Sequence, residues 1–417
     1  VYRYEFTVPA SREAWYALGG KRYEVNADFG GDLRIAYVSC NGQEHGDRAR
    51  DEAERNAMWQ RLGTQHKDEP YHLLLHGGDQ IYADEVVEVH PASEGWPKNL
   101  PDHLSDEDTK ALRNALWEAF FDRYARQYAH ADFAFIAARV PSLSMWDDHD
   151  ICDGWGSLKE EALDSAVGRT LFEVARECFL LFQFGNGRHE TPVVCADVSG
   201  RSLTFAMTLP GLTIIAPDLR SERRPHKVMG ENGWRGLRAA FSEVDGGHVI
   251  VLSSVPALGP RLSVLEWFIP FVPKLRKYED DLRDQWQSKA HRQEWQEFLT
   301  ELMVLDQRPG VSVTVVSGEI HLATHATMAT ANGELHQLVA SGIAHPPPPR
   351  VFARGLGAFA SLGEAPLAGH PITIHGLPGK ANRYTAERNF LRIERRGGTW
   401  SAVWELEDSG PTPALPL

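Results

Sequence analysis

Short apolar runs recur along the chain, and several end on one signal: a glycine turn, then acids and histidines. Residues 33–39 (LRIAYVS) read as a buried strand ending at Cys40-Asn41-Gly42. Residues 71–75, broken only by His72, read as a second strand, which stops at Gly77-Gly78 and hands over to Asp79, Tyr82, Asp84 and Glu85. Residues 142–146 and 311–316 repeat the layout, running into WDDHD (146–150) and SGEIH (317–321). Between the first two strands, residues 47–62 have helical spacing, with Ala53, Ala57, Met58 and Leu62 on one side. This β-α-β order favours a crossover and parallel pairing. Acids just past the ends of such strands lie where open α/β sheets bind ligands.

Ser105 with Asp108 opens a long helix by the capping pattern, striped by Leu112, Leu116, Ala119, Phe120 and Tyr124 and ending near Tyr128. Helices are also predicted over 160–184 and 280–305. Strands are predicted over 193–197, 201–209, 212–216, 247–253 and 335–340, with a hairpin of 390–395 and 399–406 across Arg396-Gly397-Gly398. Strands over 2–8 and 21–25 make residues 1–30 a β-rich entry segment, such as the end of an accessory β domain. Residues 31–417 then form one large α/β unit. Residues 88–104, 221–235 and 343–360 read as long loops at the rim.

Composition narrows the function. Of 417 residues, 42% are hydrophobic and 24% charged, ordinary values for a globular chain with a sizeable core. The net charge of −14 argues against a nucleic-acid surface. No stretch reaches the ~20 apolar residues of a membrane span. Cys40, Cys152, Cys178 and Cys195 lack CxxC spacing, so neither a disulfide framework nor a zinc finger is expected. The chain starts at Val1 rather than Met, which leaves room for a leader or a whole upstream domain ahead of it and for either a cytoplasmic or a secreted location.

The strand ends carry the chemistry. Asp79 and Tyr82 face one way if a helical turn follows the strand, so carboxylate and phenolate can reach one ion; the same stretch also suits a satisfied loop. The acids and histidine of 147–150 either face solvent or surround a cation, because unpaired charges are too costly to bury. Glu319 and His321 share a face if the strand direction persists. His325 is a weaker, structural candidate. Cys40 is either a small buried residue or a soft ligand. Trp96, Trp155 and Trp234 either line a leaving-group pocket or pack in the core.

SCNG (39–42), GDQIYAD (78–84), WDDHD, PDLRSERR (217–224) and SGEIH, in this order, resemble the PhoD-type alkaline phosphatases of the metallophosphoesterase superfamily, which also holds the purple acid phosphatases. The resemblance implies a four-layer α/β/β/α sandwich with two metal ions, Fe3+ with Ca2+, or Zn2+ or Mn2+ as in relatives. It implies that Asp79 bridges the ions, that Cys40, Tyr82 and His321 complete one site, and that Asp148 and Glu319 hold the other, with Asp147 replacing or supplementing Asp148. It gives His149 a place beside the phosphate and makes Asp218–Arg220 the anion-binding motif, with Arg223 and Arg224 in support. Asp150 stands where the family has Glu, and Glu319 where it has Asp. The implied reaction is hydrolysis of a small phosphate monoester or diester. A metal-retaining binding protein and a metallohydrolase of non-phosphate esters are the competing readings.

Overall fold

The computed structural model describes residues 1–42, 50–101, 103–260, 284–361 and 363–417. β1 (Ala14–Leu18) and β2 (Lys21–Val25) form a separate antiparallel pair. The remaining strands are β3 (Leu33–Val38), β4 (Leu73–Gly77), β5 (Ser142–Met145), β6 (Phe205–Leu209), β7 (Leu212–Ala216), β8 (Gly247–Ser253), β9 (Val311–Ser317), β10 (Thr324–Thr330), β11 (Gly333–Val339), β12 (Glu364–Leu367), β13 (His370–His375), β14 (Asn389–Arg396), β15 (Thr399–Leu406), β16 (Gly410–Pro411) and β17 (Leu415–Pro416). One sheet runs β16-β15-β14-β3-β4-β5, with β17 on β15; the other runs β12-β13-β10-β11-β9-β8-β7-β6. β3, β4 and β5 are mutually parallel, as are β7, β8, β9 and β11. Two sets of carboxyl strand ends are thereby available for one site.

Alternation along β3 explains the layering. Leu33, Ile35 and Tyr37 face the second sheet, meeting Ile214, Ile250, Leu252 and Val316. Ala36 and Val38 face outward onto Met58, Trp59 and Leu62 of the helix Ala57–Asp68. The outer face of the second sheet is covered by the helices Glu231–Ser242, Arg292–Asp306 and Arg350–Ala360. The protein is therefore a mixed α/β sandwich of helix, sheet, sheet and helix. Asp106–Ala129, capped by Ser105, packs with Ala166–Phe179 against the loops after β4 and β5.

The expected C-terminal hairpin is present as β14 and β15, and β14 also pairs with β3 in the middle of the sheet. Several expectations are corrected. The helix of 160–184 is divided, because Ser165 caps a new helix by accepting from the Gly168 N–H at 3.0 Å. Of the 280–305 helix, 280–283 lie outside the described residues, and the α-helix begins at Arg292. The side chains of Asp284, Gln285 and Gln287 are tied to strand-end loops instead. Of the 47–62 helix, 47–49 are outside the described residues, and the rest divides into Glu52–Arg55 and Ala57–Asp68. Residues 2–8 and 193–197 form no strand; Asp197 instead accepts the N–H groups of Ser199, Arg201 and Ser202 in a turn. The loops of 343–360 and 221–235 contain the helices starting at Arg350 and Glu231. Trp96 and Trp155 are buried core residues, and Trp234 donates to Glu294 at 3.0 Å.

His325 sits on β10 opposite His375, its Nε2 3.0 Å from His336 Nδ1, within the sheet. Burial pushes His325 down to about 3. It also pushes His66, His76, His248 and His291 down to about 4. With unfolded values near 6.5, the unfolded chain binds more protons between those limits, so stability is full above about pH 6.5 and lost as pH falls toward 4. Urea unfolding across this window should show a steeply falling midpoint, and His325→Asn should reduce the proton uptake on unfolding by about one. A pH-independent midpoint would contradict this.

Candidate metal centre

Cys40 follows β3, Asp79 follows β4, Asp147 and Asp148 follow β5, and Glu319 and His321 follow β9. Among the described residues the non-glycine positions with positive φ are Cys40 (52°), Asp79 (56°), Glu319 (65°) and His321 (51°). Such backbone is costly for residues with a Cβ and gathers at functional sites. Hydrogen bonds lock the turns: Cys40 N–H to Gly78 O at 3.1 Å, Asn41 N–H to Asp79 O at 2.8 Å, and His321 N–H to Ser341 Oγ at 2.9 Å. Glycine is needed at two places. A Cβ on Gly78, at φ 107°, would lie 2.7 Å from the Asp147 Cβ, and one on Gly42 would enter the Tyr82 ring.

Two donor groups share Asp79. Ligand atoms of Cys40, Asp79 and His321 all lie within 4.8 Å of one another, and so do those of Asp79, Asp147 and Asp148. Tyr82 joins the first group, its hydroxyl 2.8 Å from His321 Nε2. Cys40 Sγ is 3.4 Å from Asp79 Oδ2. The buried atoms Asp79 Oδ1 and Asp147 Oδ2 meet no hydrogen-bond donor. Burial, then Asp147, pushes Asp79 well above the usual carboxylate range. Burial pushes Asp147 up to about 6 against the pull of Arg220. Burial raises the Cys40 thiol and, with His345 and His149, drives His321 well down. A cluster that cannot hold its own charges, with lone pairs left open, fits cations: sulfur, nitrogen and oxygen donors on one side, oxygens alone on the other.

His149 Nδ1 lies 2.9 Å from Asp84 Oδ1. Burial works to lower His149, but Asp84, Asp148 and Asp79 outweigh it and raise the imidazole well above its ordinary value. Its ring stacks on Tyr82 at 4.2 Å, and His345 stacks on Tyr82 at 5.2 Å and on His321 at 3.7 Å. Asp150 neither faces solvent nor joins the donor groups. It accepts the backbone N–H groups of Asp79, Gln80 and Asp147, each at 2.9 Å, and of Ile81 at 3.2 Å. Burial still pushes it up to about 7.

The expected anion-binding motif is placed differently. Asp218 accepts Trp146 Nε1–H at 2.9 Å, Leu203 N–H at 2.6 Å, and the N–H groups of Arg220 and Ser221 at 3.0 Å, so it shapes a loop. Arg220 and Arg223 are 0% exposed and paired with acids, Asp284 among them, so the expectation of an open arginine is not met. Arg224 pairs with Asp164 at 3.0 Å. Glu319 lies outside both donor groups and accepts Gln285 Nε2–H at 2.6 Å. Because β9 ends at Ser317, Glu319 and His321 share no strand face. Sequence reasoning missed Asp84 as a partner of His149, along with Asp284, Gln285, Ser341 and His345. Asp84 alone carried a signal, as the last acid of GDQIYAD.

A family model described as PhoD related phosphatase matches residues 3–278, and the chain belongs to that family. YGR266W of Saccharomyces cerevisiae, described as an uncharacterized protein, is 24% identical over 397 residues, covering 78% of this chain and 55% of its own. The chain thus spans about half the length of that curated relative. A solved structure of PhoD superposes with a TM-score of 0.57 at 12% identity, covering 95% of this chain and 71% of that one, a likeness of fold. A purple acid phosphatase from yellow lupin (Lupinus luteus) seeds gives 0.47 at 11% identity, over 93% and 54%.

Proposed function

We propose that the chain hydrolyses phosphate esters of small molecules at a two-cation site. The observation that carries this reading is the shared Asp79, whose carboxylate belongs to both donor groups and keeps one oxygen without a donor. Cys40, Asp79, Tyr82 and His321 would hold one ion, most simply Fe3+. Asp79, Asp147 and Asp148 would hold the other, Ca2+, with Zn2+ or Mn2+ as alternatives. When bound, such ions lower the pKa of water and polarise phosphoryl oxygens. His149, oriented through Nδ1 by Asp84, keeps Nε2 for protonating the leaving alkoxide, and the Asp84 carboxylate beside it favours the charged imidazolium. Tyr82 stacks on this imidazole and fixes its plane, and His345 stacks on Tyr82 in turn.

The test is hydrolysis of p-nitrophenyl phosphate and bis-p-nitrophenyl phosphate by metal-analysed protein. The reading expects turnover of at least one ester that chelation abolishes and metal restores. Two retained ions without turnover of either ester would favour a non-catalytic binding protein. Turnover of a carboxyl ester alone would favour the other competing class.

A further inference from the structure

We infer that Arg220 is a positioning residue of the metal centre, holding Asp147 and Asp148 in ligand orientation and balancing their charge, and that it takes no part in binding the phosphoryl group. This rests on the two-cation reading above. Each guanidinium nitrogen is already engaged. Nε donates to Asp147 Oδ1, Nη1 donates to the Trp155 carbonyl at 3.2 Å, and Nη2 donates to Asp284 Oδ2 while lying 3.3 Å from Asp148 Oδ1. The side chain has no exposure. Turning it toward an anion would break its buried pairs with Asp147 and Asp284, a heavy cost for buried ions.

The pairing also has a direction. Arg220 takes Oδ1 of Asp147 and leaves Oδ2 without a donor, the oxygen available to a cation. A planar fork fixes carboxylate orientation in a way an ammonium does not. Asp284 anchors the other end of the fork and is itself held by Arg223 at 3.1 Å and by Ser157. The chain Asp147–Arg220–Asp284–Arg223 is thus a buried alternation of charge that ends on a ligand.

Arg220→Lys, Arg220→Gln and Asp284→Asn separate a positioning role from an anion clamp. Two quantities are read: affinity for Mn2+, by competition with a chelator, and binding of inorganic phosphate to the metal-saturated protein, by calorimetry. Loss of an outer partner of a ligand commonly costs 10–100-fold, so Arg220→Lys should weaken one Mn2+ equivalent by about tenfold or more and leave phosphate affinity within about threefold. Asp284→Asn, which touches neither donor group, should weaken Mn2+ in the same direction and keeps the test open if Arg220→Gln does not fold. Unchanged Mn2+ affinity with phosphate binding weakened about tenfold would overturn the inference. Wild-type protein that binds two ions yet hydrolyses no phosphate ester sinks the proposed function and leaves this inference supported by the metal titration. Wild-type protein that binds no ion overturns both.

Discussion

Asp79→Asn should leave the protein folded and remove both bound metal and turnover. Asp79 is the carboxylate common to the two donor groups, and its Oδ1 is buried without a donor. The amide keeps the shape but loses the charge and presents N–H groups where a cation must sit. Stabilisation of charge by bound metal is worth several kcal/mol, and about 4 kcal/mol corresponds to a roughly 10³-fold loss of rate. Elemental analysis with an ester assay reads both effects. The variant's fold can persist because its neighbours Asp147 and Asp148 keep Arg220, and Asp150 still holds the turn. Full turnover with both ions retained would remove the bridging role.

Asp150→Ala should be the most destabilising single change in the site. One buried carboxylate accepts four backbone N–H groups, three from the loop after β4 and one from the loop after β5. Removing it leaves these donors in a water-poor interior, each orphaned group costing about 1–3 kcal/mol. Partial relaxation would still leave at least about 3 kcal/mol, measurable by urea unfolding of the chelated protein, together with lost metal affinity as Asp79 and Asp147 drift apart. A loss under about 1 kcal/mol would show that the loops hold their shape without this carboxylate.

How much of this was legible in the sequence depends on what kind of contact each residue makes. The strands carrying Cys40, Asp79, Asp147 and Asp148 could be read because apolar runs ending in glycine or in acids leave a local pattern. Their convergence could be read only because several such ends recur, with the family resemblance to order them. Asp150 was misread because a carboxylate that serves backbone N–H groups has no partner visible in side-chain order. The burial of Arg220 went unread for the converse reason: in sequence it lies beside Ser221 and Arg223 in a basic cluster, whereas the acids that pair with it are Asp147, Asp148 and Asp284. Asp284 and Gln285 fall in the stretch read as a helix over 280–305, and Ser341 follows a predicted strand, so nothing local points them at the site. The left-handed backbone at Cys40 and Glu319 is invisible to propensity, since residues of those types rarely adopt it without tertiary packing to impose it.

The central claim is two cations sharing Asp79, and it is tested most directly by anomalous X-ray scattering from crystals grown with Mn2+. The account predicts two peaks, one among Cys40, Asp79, Tyr82 and His321 and one among Asp79, Asp147 and Asp148. A single peak, or peaks bound without Asp79, would contradict it.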